Sequence, residues 1–311
     1  MGERAVGNWG KQPDYMSNLV LGTVQFGVDY GVSNRIGRTY DAEIENILKY
    51  ADKKDINMLD TAPAYGNSES IIGNFIHNCT NHKQWRVITK TLYSQSDTIC
   101  DKQVDELLDN LKLSQKNIYQ KSIYGLLIHN CDDLFLPGGE KLFQIMKKLK
   151  QDGVIKKIGV SVYSSKQIDR VLDNYQIDLV QLPLNILDQR LLNGGQLNRL
   201  KEYDVEIHAR SVFLQGLLLM PLKSISPWFD PIRRDLDAFH IKAKKLNMSS
   251  LQLALGFVRS ISEVDKIVVG INTLHQLYEI VNAMSTSINT DDCFDLSISD
   301  STYLNPSNWK I

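Results

Sequence analysis

From residue 19 onward, short apolar and β-branched runs alternate with longer stretches of helical period. The runs occupy 19–26, 56–60, 86–90, 124–129, 157–162, 178–184, 206–213 and 266–271. Between and after them lie 41–53, 68–77, 102–113, 140–152, 165–174, 195–203, 231–246 and 273–285, with apolar residues three and four apart. In 41–53, for instance, Ile44, Ile47 and Leu48 fall on one face. Each predicted strand is thus followed by a predicted helix, the order of repeated βα units. Asp41, Ser68 and Ser164 precede helical patterns and are the expected caps. The stretch 249–258 reads as an additional buried helix before the last strand, and 221–231, containing Trp228 and Phe229, as a long loop.

Alternating units of this kind either close into a barrel or form an open doubly wound sheet. The turn after the first run, Gly22-Thr23-Val24-Gln25-Phe26-Gly27, lacks the G-x-G-x-x-G spacing of a dinucleotide-binding open sheet. Polar residues instead mark nearly every strand end: Thr23 and Gln25, Asp60, Lys90, His129, Ser161, Gln181, Arg210 and Ser211, and Asn272. In a (β/α)8 barrel those ends converge on one mouth. The expected fold class is therefore α/β, a single-domain (β/α)8 TIM barrel over 16–290. Residues 1–15 read as a leader or extension. The tail, 291–311, carries Tyr303 and Trp309 and packs either on the barrel mouth or against a partner.

Composition narrows the partners. The 35 Lys and Arg balance 36 Asp and Glu to a net charge of −1, so a dedicated nucleic-acid binder is disfavoured. A hydrophobic share of 43% supports a large core. The four cysteines, Cys79, Cys100, Cys131 and Cys293, are scattered without zinc spacing, which implies no metal site and a reducing, cytoplasmic setting. No apolar run has membrane-spanning length, so no membrane partner is expected.

One constellation carries chemistry. Asp60 ends the second run, Tyr65 follows on its loop, Lys90 ends the third run and His129 the fourth. A buried Asp needs a cation, and Lys90 on the neighbouring strand is the candidate. A phenol has an ordinary pKa of ~10, high for a proton donor at neutral pH. A nearby ammonium would lower it, the carboxylate would keep that ammonium charged, and the imidazole would fix a carbonyl oxygen beside the phenol. The remaining histidines, His77, His82, His208, His240 and His275, have no comparable polar neighbourhood in the sequence.

Leu21-Gly22-Thr23, Leu59-Asp60-Thr61-Ala62-x-x-Tyr65-Gly66, Thr89-Lys90, Leu127-Ile128-His129, Ile158-Gly159-Val160-Ser161, Gln181 and Gly270-Ile271-Asn272-Thr273 occur in that order. On these motifs, over roughly 19–285, the chain resembles the aldo-keto reductase superfamily. The resemblance implies a barrel enzyme that reduces an aldehyde or ketone, with Tyr65 as general acid, Lys90 and Asp60 tuning it, and His129 positioning the carbonyl. It implies a cofactor site made of Gly22, Thr23, Ser161, Gln181, Arg210, Ser211, Gly270, Asn272, Thr273 and Gln276. Ser161 and Gln181 would hold the nicotinamide carboxamide, Arg210 would stack on its ring, and amides at the helix start after Asn272 would take a phosphate. Two positions depart from the pattern: Val162 stands where Asn is usual, and no Lys or Arg occurs from 270 to 282. NADPH is the expected cofactor, with NADH possible.

The segment Val24-Gln25-Phe26-Gly27-x-x-Tyr30-Gly31 is similar to a bacterial subgroup that often acts on sugars, so the expected partner is a small-molecule, sugar-like carbonyl compound. The loop 221–231, with Arg233 and Arg234 behind it, is a candidate cover for the mouth. Two other readings stand beside a reductase: a non-catalytic nucleotide-binding barrel of the same superfamily, and a lyase forming a Schiff base on Lys90. Oligomeric state is not assigned.

Overall fold

Eight short strands form the centre of the molecule: β1 Leu19–Gly22, β2 Met58–Asp60, β3 Arg86–Lys90, β4 Ile123–Ile128, β5 Ile155–Ser161, β6 Leu179–Pro183, β7 Glu206–Arg210 and β8 Lys266–Gly270. Every neighbouring pair is parallel, and β8 returns to β1 with Leu21 opposite Val269, so the sheet is a closed (β/α)8 barrel. The computed structural model describes residues 15–79 and 85–310. The expected leader therefore lies outside the described residues except for Tyr15, which opens a short 3-10 turn, and so does His82.

Alternation along the strands sorts the core into two layers. Val20, Met58, Ile88, Leu127, Leu179 and Val268 fill the barrel interior as one cluster. Leu19, Leu21, Leu59, Val87, Leu126 and Ile158 belong instead to the large cluster between strands and helices. Because both faces are covered, the strands read as apolar runs rather than as an alternating pattern.

Several local expectations are corrected. The first run ends as a strand at Gly22, and 24–27 forms a helical turn, Val24–Gly27, so Gln25 is not a strand residue. That turn lies hard against the loop after β2: a Cβ on Gly27 would stand 1.7 Å from the Tyr65 carbonyl oxygen. Ser164 caps its helix by accepting from the Gln167 amide, as expected. Asp41 and Ser68 are instead first helical residues, with Tyr40 and Asn67 at the caps. The buried Ser68 hydroxyl bonds Thr23, at 2.9 Å to its carbonyl and 2.7 Å to Oγ1, which ties helix Ser68–Asn78 to the end of β1.

His208 does have a polar neighbourhood. At the opposite end of the barrel from the mouth, His208 Nε2 lies 2.6 Å from Glu206 Oε1, while the Tyr124 hydroxyl and Lys157 bond Oε2. Residues two apart on a strand point to the same face, so Glu206 and His208 meet inside the barrel.

The tail packs on the chain itself. The Ile298 amide donates to Leu187 O at 2.9 Å, and Gln189 Nε2 donates to Cys293 O at 2.8 Å. Phe229 meets Trp309 edge-on at 4.9 Å, and Trp228 meets Tyr303 at 6.3 Å. It thereby braces the loops that follow β6 and β7. Among the described residues no helix is long and apolar enough to cross a membrane.

Candidate active site

Strand closure brings four separated side chains to one end of the barrel. Asp60 is the last residue of β2 and Lys90 the last of β3, and both are almost wholly buried. Lys90 Nζ donates to Asp60 Oδ1 at 2.7 Å, to Oδ2 at 2.8 Å and to the Thr61 carbonyl at 2.9 Å. The three ammonium protons thus have three acceptors. Gln181, at the end of β6, reaches across and donates from Nε2 to Asp60 Oδ1 at 2.8 Å. Removing either partner of such a pair would strand a buried charge, at about 3–5 kcal/mol. Tyr65 stands on the loop after β2, its ring 5.1 Å from Lys90 Nζ, and His129 follows β4 with its ring edge-on to Tyr65 at 6.3 Å.

The electrostatics differ from the expectation in one respect. Burial, and after it the negative charge of Asp60, pushes the Tyr65 phenol well above its ordinary 10. Arg210 is the cation that acts against this, while Lys90, expected in that role, is paired with Asp60 at contact distance. The phenol therefore holds its proton. Burial, and then the Lys90 charge, lowers His129 to about 3, so its imidazole is neutral. Tyr93 stacks on that ring at 4.4 Å.

These groups floor a cavity of about 780 Å³, within the usual range for small-molecule sites. Asp60, Tyr65, Lys90 and His129 all line it. Of the expected cofactor residues, Gly22, Thr23, Ser161, Gln181, Arg210, Ser211, Gly270, Asn272 and Gln276 line it as well. Thr273 does not: its hydroxyl accepts from the Gln276 amide and caps the helix Leu274–Ala283. Gln25, Tyr30, Tyr93, Tyr163, Gln215 and Glu279 line the cavity and were not among the expected site residues. Tyr30 and Gln25 sit inside a quoted motif, and Tyr163 two residues past a strand-end Ser, so their positions carried a signal. Gln215 and Glu279 carried none.

Arg210 lines the cavity and has partners of its own. Its guanidinium stacks on Tyr163 at 4.1 Å and donates to Val162 O at 3.2 Å. Beyond it the chain turns sharply, with Ser211, Leu214 and Gln215 all at positive φ. Such left-handed conformations are uncommon outside glycine and cluster where surrounding contacts enforce them. Here Gln215 Nε2 donates to the Tyr30 hydroxyl at 3.0 Å and the Ser33 amide to Gln215 O at 3.4 Å, joining the loop after β7 to the loop after β1.

One observation tests the fit of a nicotinamide. The Ser161 hydroxyl is buried, lines the cavity and has no hydrogen-bond partner. An orphaned buried hydroxyl at a cavity wall requires a ligand group or water. Beside it, Gln181 retains its carbonyl oxygen. Ser161 and Gln181 together offer the complement of a carboxamide. Val162 is fully buried and does not line the cavity, so it adds no contact of its own.

Two expectations fail. Most of the amides around the helix start after β8 are occupied: Gln276 Oε1 accepts from the Asn272 amide at 2.7 Å and the Thr273 amide at 3.3 Å, and Glu43 Oε1 accepts from the Leu274 amide at 2.6 Å. The loop 221–231 does not line the cavity. Phe229 is fully buried against the tail, and Arg233 is engaged by Asp230 and the Leu222 carbonyl.

Comparison with known proteins gives the family and the fold. The family model described as the aldo/keto reductase family matches residues 18–298. The aldo-keto reductase YhdN of Bacillus subtilis is 28% identical over 159 residues, half of this chain but only 47% of that relative's length. The D-arabinose 1-dehydrogenase of Saccharomyces cerevisiae is 22% identical over 275 residues, 80% of each chain. Among solved structures, an aldo-keto reductase from Bacillus halodurans superposes with a TM-score of 0.73 at 18% identity, covering 91% of this chain and 93% of that one. A glycerol dehydrogenase from Gluconobacter oxydans gives 0.67 at 20% identity, covering 93% and 92%. With a family match over nearly the whole described chain and a barrel of the same fold, this protein belongs to the aldo/keto reductase family.

Proposed function

We propose that the protein is a nicotinamide-dependent oxidoreductase that interconverts a carbonyl compound and its alcohol. The observation that carries this reading is the convergence of Tyr65, the Lys90–Asp60 pair and His129 on one cavity whose wall holds the orphaned Ser161 hydroxyl. The nicotinamide, when bound, supplies or accepts the hydride. Ser161 and Gln181 would hold its carboxamide.

The chain's own residues handle the proton and the oxygen. Tyr65 enters the reaction as a neutral acid, because burial and Asp60 disfavour the phenolate. As negative charge develops on the carbonyl oxygen, that oxygen becomes the stronger base and the phenol donates to it. Neutral His129 is available as a hydrogen-bond partner to the same oxygen, with Tyr93 stacked behind it. The Lys90–Asp60 pair keeps a fixed dipole beneath the phenol in a water-poor site, where oriented charges act strongly. In the alcohol-oxidising direction the same atoms run in reverse.

Tyr30, Tyr93, Tyr163 and Gln215 give the outer cavity many hydrogen-bonding groups. This supports a polar, sugar-like carbonyl substrate, as does the name of the yeast relative, D-arabinose 1-dehydrogenase. A cytoplasmic setting belongs to the same proposal, from the scattered, unpaired cysteines. The test is a panel of aldoses, keto sugars and aromatic aldehydes followed by loss of reduced-nicotinamide absorbance. Turnover of a hydroxylated carbonyl compound supports the reading; tight cofactor binding with no turnover across the panel supports a non-catalytic barrel instead. The Schiff-base reading is disfavoured, since an ammonium with all three protons bonded offers no lone pair.

A further inference from the structure

The helix Leu274–Ala283 leaves the barrel after β8, and Gln276 and Glu279 from its first turns line the cavity. Free amides at such a helix start would attract a phosphate. In this chain the Asn272, Thr273, Leu274 and Gln276 amides are bonded within the protein, the first helical one, Leu274, by a carboxylate, Glu43. A phosphate seeking Leu274 N would have to displace a group of its own charge sign. Glu279 adds a second carboxylate on this side. The cations that line the cavity among the described residues are Lys90, which is held by Asp60, and Arg210, which turns toward Tyr163 and Val162.

An independent feature points to the kind of ligand that does fit. Gln25 is 8% exposed, lines the cavity, and has a buried Oε1 with no hydrogen-bond partner. Its amide lies against Gly270, the last residue of β8, where a Cβ would come within 2.5 Å of Nε2. An unpartnered acceptor calls for a donor, and a hydroxyl is one whereas an ionised phosphate oxygen is not. The β8 side of the cavity therefore presents acceptors, Gln25 Oε1 and the Glu279 carboxylate, beside a helix start already neutralised by Glu43.

We propose that this acceptor-rich end selects a dinucleotide with a free ribose 2′-hydroxyl, so that the protein binds NAD(H) in preference to NADP(H), with Glu43 as a residue that determines the choice. The inference rests on the reading of the cavity as a nicotinamide-dinucleotide site, and it reverses the expectation of NADPH. Its physical basis is charge and donor–acceptor matching: Glu43, bonded to the Leu274 amide, disfavours a phosphate there, while Gln25 and Glu279, which line the cavity, offer acceptors to a hydroxyl.

The test is equilibrium titration of the full chain with NAD+ and NADP+, read by tryptophan fluorescence, which needs no turnover. NAD+ should bind at least about tenfold more tightly, the scale of one or two unscreened like-charge contacts near a surface. Added salt should narrow the gap by screening. Glu43→Gln keeps an acceptor for the Leu274 amide while removing the charge. It should raise NADP+ affinity several-fold and so narrow the ratio of NAD+ to NADP+ affinity. Equal or tighter binding of NADP+ by the unaltered protein overturns this inference and leaves the redox reading intact. A Glu43→Gln protein with an unchanged ratio overturns the role of Glu43. Failure of both nucleotides to bind overturns the dinucleotide reading itself, and this inference with it.

Discussion

At the residue scale, the site depends on which charges are matched. Lys90 is held by Asp60, and burial together with the Asp60 charge keeps the Tyr65 phenol protonated in the free protein. His129 and His208 are governed by burial, as the phenol is. Burial lowers His129 to about 3, and lowers His208 against the opposing pull of Glu206. In the unfolded chain each takes a proton near the ordinary pKa of ~6.5. Below that pH the unfolded state binds more protons than the folded state, so stability is complete above ~6.5 and is lost progressively as pH falls. The thermal midpoint should therefore drop between about pH 7 and about pH 5, and the drop should be shallower in His129→Asn. An identical pH dependence in that variant would contradict the assignment of a neutral His129.

The four positions of the proposed site were legible in the sequence because Asp60, Lys90 and His129 stand at or just past strand ends, which converge in a barrel, and Tyr65 follows Asp60 on its loop. The direction of the Tyr65 shift was not. It depends first on the burial of the phenol and then on the Asp60 charge, neither of which spacing along the chain encodes.

At the scale of elements, the barrel is held by close approaches as much as by apolar area. Helix Ser68–Asn78 crosses helix Asp101–Ile118 at Gly73, where a Cβ would stand 1.9 Å from the Asn117 carbonyl oxygen. Alanine in a helix interior ordinarily stabilises by about 0.5–1 kcal/mol relative to glycine. Gly73→Ala should do the opposite and destabilise by about 1–3 kcal/mol, because the helices must separate. A melting temperature equal to or above that of the unaltered protein would contradict this packing. The strands and most helices could be read from apolar periodicity. The early end of β1 could not, since it follows from the contact of Gly27 with the loop bearing Tyr65, residues far apart in sequence. The occupied helix start after β8 was hidden for the same reason: Glu43 and Leu274 meet only when the barrel closes.

At the scale of the whole molecule, a net charge of −1 conceals an uneven distribution. Lys90 and Arg210 line the cavity beside His129 and the tyrosines, whereas Gln276, Glu279 and Gln25 occupy the β8 side. The opposite end of the barrel carries its own ionic plug. Burial alone would push the Glu206 carboxyl up, but the hydrogen bond with His208 and the bonded ammonium of Lys157 hold it well below the usual carboxylate range. This arrangement separates stability at one end of the strands from chemistry at the other, the usual division in barrels of this kind. The tail belongs to the supporting structure, bracing the loops after β6 and β7 through Trp309 and Tyr303 without lining the cavity.

The claim that joins these scales is that Tyr65 donates the proton in a nicotinamide-linked carbonyl reduction. The direct measurement is turnover, cofactor affinity and melting temperature of Tyr65→Phe beside the unaltered protein, with a carbonyl substrate identified from the panel. The account predicts a loss of kcat of at least about a hundredfold, the scale of a general acid's contribution, with cofactor affinity and melting temperature nearly unchanged. Undiminished turnover by Tyr65→Phe would contradict it.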